Sequence, residues 1–191
     1  MKLLAFDTSS QALSVALTED DNLLGKIDLN IKKNHSLTLM PAIDFLMTHV
    51  GIKPEELDRI AVAQGPGSYT GLRIAVTTAK TLASTLNIDL VGVSSLVAIA
   101  TNVDVVGKVV PLIDARRQNV YAGIYENGLS ISQEQHVSLD KLLDTLKNEE
   151  VLYFTGEVAN FRELISQTLP QAKFVENAER RLPNAYQIAR L

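Results

Sequence analysis

Two aspartates stand where an apolar run gives way to a polar turn, and they are the first candidates for chemistry in this sequence. Asp7 and Asp114 each follow such a run, and a glutamine comes four residues after each of them, Gln11 and Gln118. A carboxylate at such a turn can hold a divalent cation or can bind the free amides of its own turn. The second role is the commoner one at hairpin turns, so we predict that neither aspartate binds a metal.

A glycine-rich segment over residues 64–73 is the second candidate, because it joins an apolar run to a helical pattern. Its first two glycines permit backbone angles that a Cβ opposes, and Ser68 or Thr70 can cap the helix that follows. Such turns often hold anions. However, no Gly-Lys-Ser/Thr follows the glycines, and their spacing differs from the dinucleotide fingerprint. On chemistry alone we interpret the segment as a structural turn.

The remaining nucleophiles and metal ligands form no recognisable motif. His35, His49 and His136 have no partner at the spacing of a helical zinc site. No nucleophile-elbow motif supports a Ser-His-Asp triad. The sequence has no cysteine, which excludes disulfides, thiol nucleophiles and zinc-thiolate sites. We predict no catalytic residue, no metal site and no cofactor.

The elements that must position these residues follow the same order twice. The first half is predicted to contain strands Leu3–Phe6, Ala12–Leu17 and Leu23–Ile31, a helix from Asn34 or Ser36 to Met47, strand Ile60–Ala63, a helix after the glycine turn, strand Leu90–Val93 and a short helix from Leu96. The second half is predicted to contain strands Val109–Ile113, Val120–Tyr125 and Leu129–Val137, helix Leu139–Leu146, strand Val151–Phe154 and helix Val158–Leu169. We therefore predict an α/β fold built from duplicated βββαβα halves.

The repeat also gives a domain division. We predict an N-terminal lobe over residues 1–103 and a C-terminal lobe over residues 104–191. A last helical pattern, Pro183–Leu191, has neither a cap nor a stop signal. This favours a second lobe that is truncated at its C-terminus.

Two helices of the first half lack the polar outer face that a solvated helix normally has. The residues predicted to face inward are Leu39, Ile43 and Leu46 on the first helix and Leu72, Val76, Ala79 and Ala83 on the second. The residues predicted to face outward are Met40, Asp44 and Met47 on the first helix and Arg73, Ile74, Thr77, Thr78 and Thr81 on the second. A helix without a polar face needs a second burial partner, so we predict that this outer surface binds another protein.

Composition limits the partners and the location. The 191 residues are 46% hydrophobic and carry a formal charge of −4. A general attraction to nucleic acid or to an anionic membrane is therefore not expected, although a local basic patch stays open. The N-terminus reaches Asp7 too early for a signal-peptide core, and no apolar run is long enough to cross a bilayer. We expect a cytoplasmic protein.

Particular segments resemble a known family. The duplicated unit, with an aspartate-bearing hairpin at the start of each copy, resembles the actin-like ATPase, sugar kinase and Hsp70 superfold (ASKHA, ribonuclease H-like), whose two hairpin turns clasp phosphates. Within that superfold the closer resemblance, over essentially the whole chain, is to the TsaB family, also called YeaZ. It is carried by Phe6–Ser9, His35–Ser36, Gly65–Arg73 with Ala79–Lys80, and Asp114–Arg117 with Val120–Tyr121.

The resemblance implies a non-catalytic scaffold rather than an enzyme. Members of this family pair with TsaD, which forms N6-threonylcarbamoyladenosine at position 37 of tRNAs that read codons beginning with A, and TsaE joins the complex as an accessory ATPase. The implied partners are TsaD directly, TsaE in the complex, tRNA only through the complex, a second copy when the chain is alone, and no membrane.

In the superfold, ATP hydrolysis requires glycines in the hairpin turns and carboxylates that hold Mg²⁺. Here the turns contain Thr8, Ser9 and Ser10 in one half and Arg116 and Arg117 in the other. The candidates for a degenerate phosphate loop are Asp7, Thr8, Ser9 and Asp114. The alternative function is a small-molecule kinase or ATPase of the same superfold, with its site between the two lobes.

Overall fold

Each half of the chain begins with antiparallel strands that are followed by helices and further strands, in the βββαβα order that the sequence pattern predicts. The structure is a computed structural model that describes residues 1–30 and 34–191, so Ile31, the predicted end of the third strand, lies outside it. The strands are β1 Lys2–Asp7, β2 Leu13–Glu19, β3 Asn22–Leu29, β4 Arg59–Gly65, β5 Asp89–Ser94, β6 Lys108–Asp114, β7 Asn119–Ala122, β8 Tyr125–Glu126, β9 Leu129–Ser130, β10 Gln135–Ser138, β11 Leu152–Gly156 and β12 Ala172–Phe174. The helices are α1 His35–Val50, α2 Tyr69–Leu86, α3 Ser95–Ala100, α4 Leu139–Leu146, α5 Arg162–Thr168, α6 Ala178–Arg181 and α7 Ala185–Arg190.

The first sheet has the order β3-β2-β1-β4-β5. Strand β1 lies antiparallel to β2 and parallel to β4, which is itself parallel to β5. Alternate residues of β1 point to opposite faces, as the strand period requires. Leu4 and Phe6 pack in one core with residues of α1 and α2, whereas Leu3 and Ala5 pack in another with residues of α7. The central strand is thus buried on both sides, so its end at Asp7 is held firmly.

The second sheet repeats this topology with the order β10-β7-β6-β11-β12, and β8 and β9 pair at its side. Strand β6 lies antiparallel to β7 and parallel to β11. One face of the sheet is covered by helix α4, whose leucines at three- and four-residue spacing are all buried. The matching strand orders confirm the predicted duplication.

The chain divides into two compact units, residues 1–98 with 183–191 and residues 99–182. The predicted division differs, with residues 183–191 in the second lobe and the boundary after residue 103. The difference has a physical cause: Ala185 and Ile188 of α7 are buried against the first sheet, and the amide of Ala185 donates a hydrogen bond to Ser14 Oγ at 2.8 Å. Helix α7 also has the cap that the sequence analysis did not find, because Asn184 Oδ1 accepts from the Tyr186 amide.

Within residues 1–30 and 34–191, none of the helices combines the length and the apolar character needed to cross a bilayer.

Candidate partner-binding face and phosphate turns

The turn after β1 is organised by Asp7 and is tied to the start of α2 by two of its residues, Thr8 and Ser9. Asp7 Oδ1 accepts from the Ser9 amide at 2.5 Å, so the carboxylate organises its own turn. The Thr8 hydroxyl donates to the Gly71 carbonyl at 2.8 Å. The Ser68 amide donates to the Ser9 carbonyl at 2.7 Å. Polar groups of the first candidate phosphate loop are therefore already bonded to the glycine-rich segment.

Two glycines of that segment are required by how closely it approaches the turn. A Cβ on Gly71 would lie 1.9 Å from the Thr8 carbonyl oxygen, and one on Gly67 would lie 2.5 Å from the Ser9 carbonyl oxygen. Both distances are far below van der Waals contact. This contact supports the interpretation of the glycine segment as a structural turn, since its glycines serve packing against residues 8–9.

Asp7 is almost fully buried, with 1% of its surface exposed, and its second oxygen has no hydrogen-bond partner in the described part of the chain. Burial raises the pKa of Asp7 above its ordinary value, and the hydrogen bond from Ser9 opposes this shift. A raised pKa disfavours the charged carboxylate that a cation would require. The local role predicted for Asp7, bonding amides of its own turn, agrees with this geometry.

The turn after β6 is built in a related way. Asp114 Oδ1 accepts from the Arg116 amide at 2.7 Å, and the Asp114 amide donates to Glu157 Oε2 at 2.8 Å. Burial raises the pKa of Glu157, and the nearby charge of Asp114 acts in the same direction. The carboxylate of Asp114 is thus engaged with its own turn, as predicted. No group of three metal-ligating side chains occurs among the residues that the structure describes.

Helix α1 presents an apolar outer face. Leu37 is 72% exposed, Phe45 55% and Met40 45%, and Asp44 lies exposed among them. The Phe45 ring stacks on His49 with centroids 3.9 Å apart. The outer side of the helix therefore exposes a patch of apolar side chains to water, which is typical of a surface that binds another protein.

Met47 does not lie where the sequence analysis placed it. It is 7% exposed and packs in the core of the first unit. The reason is its spacing: Met47 lies four residues after Ile43 and eight after Leu39, so it continues their stripe. Met40 and Asp44 are exposed, as predicted.

Helix α2 keeps part of the predicted outer face. Arg73, Thr77 and Thr81 are exposed, whereas Ile74 and Thr78 are half-buried at its edge. The stripe that faces the sheet consists of Gly71, Ala75, Ala79 and Ala83. Its spacing of four and its small side chains bring the helix close to the sheet, so Leu72 and Val76, predicted to face the sheet, lie on its flank.

A groove of about 390 Å³ opens between the end of α1, the connection that follows it and the end of α2. Its lining includes Met40, Asp44, Met47, Pro54, Leu82 and Leu86. Met47 therefore contributes to the floor of the groove although it is not on the outer face. The groove makes the α1–α2 surface concave at one end.

Two prominent residues of this surface, Phe45 and Leu37, were not among those predicted to bind a partner. The signal was present, since both are large apolar residues at positions off the buried stripe of α1. We define the α1–α2 face by nine exposed or half-buried residues of the two helices: Leu37, Met40, Asp44, Phe45, Arg73, Ile74, Thr77, Thr78 and Thr81.

Comparisons with known proteins identify the family. A family model described as "TsaD: tRNA N6-adenosine threonylcarbamoyltransferase" matches residues 22–189. The tRNA threonylcarbamoyladenosine biosynthesis protein TsaB of Bacillus subtilis (strain 168) is 38% identical over 198 residues, which cover 99% of this chain and 86% of that protein. The chain belongs to the TsaB family.

Other TsaB relatives agree with this assignment. TsaB of Escherichia coli (strain K12) is 32% identical over 73% of this chain and 62% of its own length. The solved structure of YeaZ from Pseudomonas aeruginosa superposes with a TM-score of 0.84 at 28% identity, covering 100% of this chain and 89% of that one. The family that the sequence motifs resembled is thus confirmed.

The superfold is confirmed as well. The ROK hexokinase of Thermus thermophilus has a TM-score of 0.55 at 11% identity, covering 99% of this chain and 98% of the hexokinase. At this identity the likeness concerns the fold alone. The duplicated α/β architecture of this TsaB-family chain is that of the actin-like ATPase and sugar kinase superfold.

Proposed function

We propose that this chain acts in the biosynthesis of tRNA threonylcarbamoyladenosine as a non-catalytic subunit that binds and activates TsaD. The place in this biosynthesis rests on its TsaB relatives. The observation that carries the scaffold role is the α1–α2 face, an apolar surface on two adjacent helices. Three of its large apolar side chains, Leu37, Met40 and Phe45, are exposed and would be covered by a protein partner.

The chemistry of the α1–α2 face suits a packed helix pair. Threonines 77 and 81 are short, so they allow a partner helix to approach α2 closely. Met40 and Phe45 supply large side chains on α1, and methionine adapts to irregular gaps. We infer a four-helix contact in which α1 and α2 pack against two helices of TsaD.

The two candidate phosphate turns support a role without catalysis. In the first turn Thr8 and Ser9 already bond to the start of α2, and the second turn contains arginines where an active ATPase needs glycines. The alternative function, a kinase or ATPase of the same superfold, has no observation in its favour. In the proposed assembly TsaE joins through the complex, and the same face forms a homodimer when TsaD is missing.

The test places a charge in the proposed contact. Thr77→Arg changes an exposed residue, so the melting temperature of the chain should stay within about 2 °C of wild type because exposed substitutions cost little. In a contact with TsaD the guanidinium would be buried without a partner, which costs about 3 kcal/mol, or roughly 100-fold in affinity. Met40→Asp should act in the same way. Calorimetric titration with TsaD measures the loss.

The matched control is Thr145→Arg, the same change at an exposed threonine of α4. It should leave both the melt and the TsaD affinity unchanged. Met47→Asp and Thr78→Arg are unsuitable tests, since Met47 is buried and Thr78 half-buried. Wild-type affinity in both Thr77→Arg and Met40→Asp would move the contact away from the α1–α2 face.

A further inference from the structure

We propose that the second unit carries an RNA-binding site, in which Arg116 and Arg117 bind phosphates and the rings of Tyr121 and His136 stack on a base. The ligand class is a single-stranded or looped RNA segment. The inference rests on the proposed function, because a subunit of a tRNA-modifying complex works next to RNA. The site consists of the β6–β7 turn and the neighbouring face of β7 and β10, all within residues 99–182.

The β6–β7 turn holds its arginines in an unusual backbone conformation. Arg116, Arg117 and Gln118 have φ angles of 66°, 52° and 63°, a left-handed region that residues with a Cβ seldom occupy. Three such residues in succession are strained, and strain of this kind persists only where the surroundings impose it. A strained, ordered turn that ends in two charged side chains points to a binding role.

The surroundings that impose this conformation are hydrogen bonds on both sides of the turn. Asn119 Nδ2 donates to the Arg117 carbonyl at 3.1 Å, and the Arg116 amide donates to Asp114 Oδ1 at 2.7 Å. The Leu139 amide donates to the Gln118 carbonyl at 2.9 Å, which ties the turn to the start of α4. The backbone that carries the two arginines is therefore held in place by hydrogen bonds.

Both arginine side chains are exposed, and within residues 1–30 and 34–191 neither guanidinium forms an ion pair. Arg59 and Arg162 differ in this respect, since Arg59 pairs with Asp89 and Arg162 with Glu176. The planar guanidinium fork matches the oxygens of a phosphate group. Two adjacent guanidinium groups without ion pairs therefore suit the phosphates of a nucleic acid backbone.

The base-stacking part of the site lies on the strand that leaves the turn. Tyr121 of β7 and His136 of β10 are directly paired across the sheet, with ring centroids 5.1 Å apart and planes inclined by 51°. His136 is exposed and Tyr121 half-buried, so the histidine ring is the outer one. An exposed aromatic ring such as that of His136 can serve as a platform for an unpaired RNA base. From Gln118 to Tyr121 the strand rises by roughly 10 Å, a length that a short RNA segment can follow.

The carboxylates near the turn are already engaged. Asp114 accepts from the Arg116 amide and Glu157 from the Asp114 amide, and burial together with the charge of Asp114 raises the pKa of Glu157. Neither carboxylate bonds to a guanidinium of the turn. The chain as a whole has a formal charge of −4, so its attraction to RNA is local and depends on the TsaD complex for affinity.

The decisive experiment measures binding of fluorescently labelled, unmodified tRNA to the complex of this chain with TsaD, at several salt concentrations. For the double variant Arg116→Ala/Arg117→Ala, affinity should fall at least tenfold. The slope of log K against log[salt] should become shallower by about 1.4, because each phosphate contact with a single strand contributes about 0.7. The matched control is Arg180→Ala/Lys173→Ala, which removes the same charge from two other exposed positions of the second unit and should have little effect. Equal losses in both double variants would overturn the site, because they would reflect net charge alone.

The ring pair has its own test. His136→Ala should weaken tRNA binding by about tenfold, with an unchanged salt slope, because stacking involves no counterion release. His136→Phe should restore the affinity, since phenylalanine retains the stacking face. A His136→Ala variant with wild-type affinity would remove the stacking role and with it the proposed site.

Two further measurements separate this inference from its alternatives. The affinity of each variant for TsaD is measured without RNA, and it should equal that of wild type. If the wild-type chain does not bind TsaD, the proposed function fails. RNA binding is then measured with the chain alone at 50 mM salt. Binding that is lost in Arg116→Ala/Arg117→Ala supports the site, and binding that persists in this variant overturns it. Displacement of the RNA by low-millimolar Mg-ATP would assign the turn to a nucleotide and overturn the RNA assignment.

Discussion

The carboxyl group of Asp7 lies buried at the end of β1, and one of its oxygens accepts from the Ser9 amide while the other has no partner among the described residues. Burial favours the protonated form of this carboxyl and outweighs the opposing effects of the Ser9 bond and of the nearby His35. The same side chain in an active member of the superfold would have to be charged to hold Mg²⁺. In this TsaB-family chain Asp7 therefore serves the shape of the turn.

The raised pKa of Asp7 makes a prediction about stability and pH. Between the ordinary value of 3.8 and the raised value, the folded chain binds more protons than the unfolded chain. The free energy of unfolding contributed by this group therefore decreases as pH rises through that interval. Asp7→Asn keeps an oxygen for the Ser9 amide but cannot ionise, so its stability relative to wild type should increase with pH and then level off. Urea unfolding at a series of pH values measures this difference, and a difference that is constant or falls with pH would contradict the buried position of Asp7.

Residue roles that depend on local geometry were predictable from the sequence, whereas those that depend on small rotations of a helix were not. Asp7 and Asp114 bind amides of their own turns, as the sequence analysis expected. Met47 was placed on the wrong side of α1. A helix advances 100° per residue, so a residue near the border of an apolar stripe can be assigned to either side when nearly every neighbour is apolar.

The helix pair α1–α2 leads to a prediction about self-association. An apolar surface of this kind is seldom left uncovered by a lone monomer, so the isolated chain should form a homodimer at tens of micromolar, roughly the range of weak specific interfaces. Phe45→Glu replaces an exposed ring by a charge and should give a monomer with an unchanged fold. Light scattering measures the mass, with Thr145→Arg as the control that should stay dimeric. A dimer that persists in Phe45→Glu would place the self-contact elsewhere.

Element boundaries were predicted best where a cap marks them. Asn34 and Ser68 cap α1 and α2, and Gly51 ends α1 in the left-handed conformation, as the sequence indicated. The predicted strand Leu129–Val137 is instead divided into β9 and β10. Ser132, between them, accepts a hydrogen bond from the Ile124 amide through its hydroxyl oxygen. Local periodicity does not reveal a contact between positions eight residues apart. Strand β12 and helix α6 are too short for a periodic signal, and neither was predicted.

At the scale of the whole molecule, the first unit is discontinuous in sequence. Helix α7, from the other end of the chain, packs on one face of its sheet. Ile188 is buried in that contact, so Ile188→Ala should destabilise the first unit by about 2–4 kcal/mol, as for other large-to-small core changes. Amide hydrogen exchange should become faster in β1 and β2 but not in β6. Arg190→Ala, an exposed position on the same helix, should change neither. Equal exchange rates in the two variants would mean that α7 does not hold the sheet.

Each half of the duplicated fold has a hairpin turn after its first strand, and in both turns the aspartate is bonded to an amide of its own turn. The first turn is bonded to the start of α2 through the Thr8 hydroxyl and the Ser9 carbonyl. The second turn follows Asp114, whose carboxylate is bonded to the Arg116 amide. The carboxylates of both turns are thus occupied by hydrogen bonds within the protein itself.

This leads to the prediction that the purified chain hydrolyses no ATP above the background rate. Phosphate release from Mg-ATP should be the same for wild type, for Asp7→Ala and for a blank without protein, because the carboxyl group at position 7 is buried and its pKa is raised. Calorimetric titration of Mg-ATP serves as the second measurement, since binding without turnover would escape the first. The sensitive comparison is between wild type and Asp7→Ala purified in the same way, because a contaminating ATPase would then contribute equally to both. Turnover that disappears in Asp7→Ala would show that the first turn still performs catalysis, and the scaffold role would then give way to the alternative of a kinase or ATPase.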